Sequence, residues 1–184
     1  MHTKSSTAPG NGGITTISVV GWHNVGKTAF VERLLEVLKR RGMRVATIKH
    51  ARSEFDIDRE GTDTWRYRHA GSSVVMISAP GRVAMIEERD DDAELEELLA
   101  RLPAGMDLAI IEGFKRHRGP KIEVTTRQAW TADGRITPEG QLLALVSDDL
   151  EADAAEAPLF RRNDVEGVLT LLEELGIISP TAGE

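Results

Sequence analysis

The chain contains no cysteine among its 184 residues. Disulfides, Cys-ligated zinc, iron–sulfur clusters and thiol nucleophiles are therefore all excluded. Long apolar runs are missing too, and none approaches the length needed to cross a bilayer. Met1 to Gly13 lacks the apolar stretch of a secretory signal, and its Ser, Thr, Gly, Pro and Asn content reads as a flexible tail. Positive charge is in short supply: 23 Lys and Arg stand against 30 Asp and Glu, a formal net charge of −7. That balance argues against general binding to nucleic acid or acidic membranes, while leaving room for a local basic patch. Five histidines are scattered without metal-ligand spacing, so no zinc site is expected. A cytoplasmic protein is the simplest reading.

What is present is enough for a real core: 40% of the residues are hydrophobic. The length suits one domain over residues 14–178, with a tail at 1–13 and a flexible terminus at 179–184. Ile14 to Val20 is a near-continuous apolar run of strand length. After a Gly-rich loop, Val31, Leu34, Leu35 and Leu38 fall on one face of a helix, with Lys39, Arg40 and Arg41 in its last turn and Gly42 to end it. Arg44 to Lys49 reads as a second strand, completing a βαβ unit with a right-handed crossover. Thr62 to Ala70 reads as a short helix. Ser73 to Ser78 and Arg82 to Glu87 flank Ala79-Pro80-Gly81 and form a candidate hairpin. Leu95, Leu98, Leu99 and Leu102 have helical spacing, and Asp107 to Ile111, Ile122 to Thr126 and Leu142 to Val146 are further strands. The stretch between the last two is either a hairpin or an irregular loop. A final helix starts near Asn163 or Asp164 and ends near Gly176. The alternation predicts an α/β fold: a mostly parallel sheet flanked by helices, of P-loop NTPase type, with a small β-hairpin extension.

Gly21-Trp22-His23-Asn24-Val25-Gly26-Lys27-Thr28 fits G-x-x-x-x-G-K-[ST] at every fixed position, between a strand and a strongly periodic helix. Glycines let successive N–H groups turn inward, and the helix start adds partial positive charge. Lys27 reaches the β- and γ-phosphates, and the Thr28 hydroxyl is a Mg²⁺ ligand. A Gly-rich turn that merely starts a helix does not explain why Lys and Thr follow Gly26. The candidate nucleotide contacts are Gly21, His23, Asn24, Val25, Gly26, Lys27, Thr28 and Ala29.

Such a loop needs a carboxylate near the metal, at the C-terminal end of a neighbouring strand. Four apolar residues lead from Asp107 into Glu112, so Glu112 is the candidate metal ligand and, with Lys27, the candidate catalytic residue. Gly113 lets a backbone N–H approach the γ-phosphate. Asp107, at the other end of the strand, reads as a solvated cap. Asp56 and Asp58, after the second strand, are either Mg²⁺-associated, Asp56 being the candidate ligand, or part of a solvated loop with Thr62 or Asp63 capping a helix. His50 is open between phosphate contact and a structural role.

These segments together resemble the MobB family of molybdopterin-guanine dinucleotide biosynthesis adapter proteins. The resemblance runs from about Thr16 to Leu175. It is carried by Gly21 to Thr28, by Ile48-Lys49-His50 through Phe55-Asp56-Ile57-Asp58 to Gly61-Thr62-Asp63, by Ala70-Gly71, and by Leu108 to Lys115 with its Glu112-Gly113-Phe114-Lys115. Lys121-Ile122 and Asn163 to Gly167 add support. The resemblance implies GTP and Mg²⁺ as ligands, slow GTP hydrolysis at most, a dimer of the SIMIBI type, and a guanylyltransferase of the molybdenum-cofactor pathway as partner. This chain departs from the pattern at Ala51-Arg52-Ser53, where the family often has histidines. No Asn-Lys-x-Asp guanine reader follows a strand; by position, Asp148 after Leu142 to Val146 is the candidate, with Asn163-Asp164 second. Lys115, Arg116, His117, Arg118 and Lys121 form a basic cluster, either a solvated loop or a site for an acidic partner or the phosphate of molybdopterin. A P-loop kinase of a small metabolite is the alternative function, and a metallochaperone-type GTPase is disfavoured by the lack of cysteine.

Overall fold

The computed structural model describes residues 13–51, 55–115, 117–151 and 157–180. The expected tails at 1–13 and 179–184 lie almost wholly outside these residues, as do Arg52, Ser53 and Arg116. The chain divides into two compact units, residues 51–94 forming one and the segments on either side of them the other.

The larger unit is built on a six-stranded parallel sheet. Its strands are β1 (Thr16–Val20), β2 (Val45–Lys49), β5 (Leu108–Glu112), β6 (Lys121–Val124), β7 (Leu142–Val146) and β8 (Leu159–Phe160), in the order β2-β5-β1-β6-β7-β8. β1 is central, and its residues 17–20 are buried because both faces of the sheet are covered. Helix α1 (Lys27–Arg40) turns Phe30, Val31, Leu34, Val37 and Leu38 inward. Helix α5 (Val165–Glu174) adds Val165, Val168, Leu169 and Leu172 to the same core. Arg41, at the end of α1, pairs with both Glu166 and Glu173 of α5, the latter at 2.7 Å. The other core is smaller: Ile48 and Ile111 with Leu95, which opens helix α3 (Leu95–Ala100).

The expected α/β architecture is present, and two elements were missed. The undecided stretch contains helix α4 (Arg127–Asp133), capped by Thr126, whose Oγ1 accepts the Ala129 N–H at 3.1 Å. β8 is a two-residue edge strand. Asp107 sits at the far end of β5, as expected, where its Oδ2 accepts the Arg44 N–H at 2.7 Å and fixes the start of β2.

The smaller unit holds helix α2 (Asp63–His69) and the hairpin of β3 (Val74–Ala79) and β4 (Arg82–Glu87). Thr62 caps α2. Asp58 Oδ1 accepts from the Thr62 and Thr64 hydroxyls at 3.1 and 2.9 Å, and Arg68 joins Asp56 to Glu88. Val74, Met76, Val83 and Met85 share one face of the hairpin and are all exposed. Among the described residues no helix is long and apolar enough to cross a membrane.

Candidate phosphate-binding site

The phosphate loop leaves β1 through Gly21 (φ 153°). A Cβ there would overlap the Val124 carbonyl oxygen of β6 and stand 3.0 Å from Val25 Cγ2. No larger residue fits, so the loop is seated directly on the sheet. Val25 is buried and pins the loop from below, so only its main chain is available to a ligand. His23 and Asn24 are exposed, and Asn24 adopts a left-handed conformation (φ 59°). Gly26 (φ 92°) precedes α1 and offers no side-chain cap. A helix start of this kind presents its first-turn N–H groups outward, which suits an anion. Thr28 and Ala29 are exposed in that turn. Lys27 Nζ curls over the loop, donating to the carbonyls of Trp22 at 2.7 Å and Gly21 at 3.2 Å.

Glu112 ends β5, the strand beside β1, and its register partner is Val19, two residues before the loop begins. On its other side it pairs with Lys49, the Nζ–Oε1 distance being 3.4 Å. Sequence and topology thus bring Lys27, Thr28 and Glu112 to the C-terminal ends of adjacent strands. Gly113 has a packing role that sequence reading missed: a Cβ would lie 2.9 Å from His50 Cβ. His50 in turn packs on Phe114, with ring centroids 4.6 Å apart and planes tilted by 38°, so its ring is engaged in packing.

Among its described residues, the basic cluster is not uniformly solvated. Lys115 Nζ lies 4.7 Å from the ring centroid of Trp22, in the phosphate loop, whose indole N–H donates to the Gly134 carbonyl at 3.0 Å. Lys121 is fully buried and donates to the His117 carbonyl at 2.6 Å. Burial pushes its ammonium below the ordinary lysine range. Burial also lowers the His117 imidazole, aided by Lys121 and opposed by Glu96. Glu123, equally buried on β6, accepts the N–H groups of Ile136 and Thr137 at 3.0 and 2.9 Å.

Asp148 follows β7, as expected, and is half exposed. Its Oδ1 accepts the Arg162 N–H at 2.9 Å, and its Oδ2 faces Arg162 Nε at 3.5 Å. Asn163-Asp164, the second candidate, supplies the α5 cap, Asp164 Oδ1 accepting the Gly167 N–H at 3.0 Å. Asp56 belongs to the smaller unit. Its carboxyl is held below the usual range, chiefly by the Arg68 guanidinium at 2.9 Å and then by the Asp58 N–H.

The family model for MobB, molybdopterin guanine dinucleotide synthesis protein B, matches residues 16–148. The chain belongs to the MobB family. It is 30% identical over 165 residues to the molybdopterin-guanine dinucleotide biosynthesis adapter protein of Escherichia coli (strain K12), covering 88% of this chain and 93% of that one. The corresponding adapter protein of Haemophilus influenzae is 35% identical over 113 residues, 61% of this chain and 64% of that protein. Among solved structures, Bacillus subtilis MobB superposes with a TM-score of 0.68 at 26% identity, covering 91% of this chain and 99% of the other. The MobB match spans the phosphate loop, Glu112-Gly113 and Asp148.

Proposed function

We propose that this chain is a GTP·Mg²⁺-binding adapter in molybdopterin guanine dinucleotide biosynthesis, acting in the cytoplasm beside the guanylyltransferase that joins the nucleotide to molybdopterin. The observation that carries the reading is the loop from Gly21 to Thr28, seated on β6 at a glycine that admits no side chain, with Glu112 ending the adjacent strand. Family membership supplies the pathway.

The donor chemistry fits a magnesium nucleotide. Among the described residues no three His, Cys, Asp or Glu converge as a metal site. Thr28 and Glu112 supply one hydroxyl and one carboxylate, the sparse set typical of Mg²⁺ held largely by phosphate and water. When bound, the ion offsets charge on the terminal phosphates. Lys27 exchanges its loop carbonyls for phosphate oxygens, and the N–H groups at the start of α1 orient the chain of phosphates. None of the described residues is placed as a strong general base for water, which suits slow hydrolysis and a delivery role.

The reading extends to a homodimer. A two-stranded hairpin is marginal in water by itself, and the exposed face of Val74, Met76, Val83 and Met85 calls for a cover. A second copy of the same hairpin has matching shape and chemistry.

Calorimetric titration with GTP and ATP, with and without Mg²⁺, tests the core of the proposal. Wild type is expected to prefer GTP and to need Mg²⁺. Lys27→Ala removes charge-assisted hydrogen bonds of about 1.5–3 kcal/mol and should weaken binding roughly 10- to 100-fold. Unchanged binding in that variant refutes the loop as the site, and equal affinity for ATP removes guanine from the proposal.

A further inference from the structure

Arg162 is held in a way that capping α5 does not require. Its N–H donates to Asp148 Oδ1, and its carbonyl accepts from Arg33 Nη1 of α1 at 3.3 Å. Anchored so, its guanidinium lies against the phosphate loop: a Cβ on Gly26 would stand 3.2 Å from Nη1, 3.4 Å from Cζ and 3.6 Å from Nε. The central carbon is as near as the average of the two nitrogens. An edge-on group would hold its carbon behind both, so the plane is presented face-on. Gly26 therefore provides room for an arginine as well as a positive φ.

The strand order adds a direction. Glu112 ends β5 on one side of β1, while Asp148 and Arg162 follow β7 and β8 on the other. A nucleotide whose terminal phosphates and metal face Glu112 turns its α-phosphate and nucleoside toward Arg162. A guanidinium is the side chain best suited to such an anion, since its planar fork donates to two oxygens at once.

We propose that Arg162 donates to the α-phosphate of the nucleotide, and that this phosphate and Asp148 compete for it. The proposal rests on the reading of the loop as a nucleotide site. As Arg162 turns to the phosphate, Asp148 Oδ2 is released to accept from the base. One side chain thus couples phosphate seating to base reading.

The test measures the affinities of the full chain for GTP, GDP, ATP and inorganic tripolyphosphate by calorimetry. Arg162→Ala should weaken GTP and GDP by the same factor, tenfold or more. Arg162→Lys, which keeps the charge but loses the fork, should recover only part of it at an unchanged melting temperature. Weakening of GTP alone would place the contact on the γ-phosphate and overturn the assignment. Affinities within twofold of wild type for both nucleotides, with Lys27→Ala impaired, would overturn it while leaving the loop reading intact. A wild-type chain that binds neither nucleotide sinks the loop reading and this proposal with it. Asp148→Ala should bind tripolyphosphate more tightly and discriminate GTP from ATP less well; unchanged tripolyphosphate affinity overturns the competition.

Discussion

Replacing Gly21 by alanine tests whether the phosphate loop is seated on the sheet as described. The new Cβ would overlap the Val124 carbonyl oxygen, lie 3.3 Å from the carbonyl carbon and press on Val25 Cγ2 at 3.0 Å. The first two belong to backbone within the parallel sheet, so they cannot swing aside as a side-chain tip does. Overpacking against such a neighbour costs about 1–3 kcal/mol, and the positive φ of 153° adds about 1–3 kcal/mol for a residue with a Cβ. The middle of the summed range is about 4 kcal/mol, a large share of the 5–15 kcal/mol typical of a folded domain. For a chain of this size that corresponds to a fall in Tm of roughly 8–16 °C. Gly42→Ala provides the control. Its φ is 75° and nothing lies within 4 Å of the added Cβ, so it pays only the conformational part, about 1–2 kcal/mol. Thermal unfolding followed by circular dichroism compares the two. If Gly21→Ala melts within about 2 °C of Gly42→Ala, the steric argument is wrong and the loop does not rest on β6 as drawn.

Three further outcomes follow from the same structure. Glu123→Ala leaves the half-buried Ile136 and the buried Thr137 N–H groups without acceptors; it should cost about 3 kcal/mol, read by urea unfolding, and a loss below about 1 kcal/mol would show that the loop finds other partners. Asp149 has its carboxyl lowered from 3.8, first by the Arg127 N–H and also by the Ser147 hydroxyl. A depressed carboxylate stabilises the fold above its unfolded value and loses that contribution as pH falls through the folded one, so Asp149→Asn should flatten the decline in stability between about pH 5 and pH 2.5; parallel curves would refute this. Met76→Glu places a carboxylate opposite Met85 on the exposed hairpin face, and light scattering should then report monomer in place of the proposed wild-type dimer; an undiminished dimer would move the interface elsewhere.

The parts of the fold that read easily are those specified by neighbours in sequence. β1, the loop and α1 announce themselves through one apolar run, fixed glycines and the Val31, Leu34, Leu35, Leu38 stripe, three of which the core takes up fully. Helix α4 had no such signature. None of its residues is buried, so no periodic stripe exists to be read, and Thr126 alone marks its start. β8 is two residues long and defined only by pairing with β7. Lys121 and Glu123 were hidden for a different reason: charges normally mark solvent, yet here both are enclosed, Lys121 answered by the carbonyl of His117 four residues before it and Glu123 by the N–H groups of Ile136 and Thr137 in a later loop. Arg162 belongs to the same class. A surface arginine before a helix cap is unremarkable as a string of letters, and only the return of β8 to the sheet brings it onto Gly26.

The strand order also bears on the timing of synthesis. β1 and β2 emerge first but are not neighbours; the slot between them belongs to β5. Arg44 and Asp107, which close that pairing, are 63 residues apart in sequence. Until β5 has left the ribosome, β1 and β2 face each other across a missing strand, and the phosphate loop has neither its flanking strand nor Glu112. A nascent chain stopped before residue 107 therefore holds the whole nucleotide motif without a sheet to stretch it on. Its β1 edge stays unpaired for those seconds of translation, and an unpaired strand edge is open to pairing with other chains.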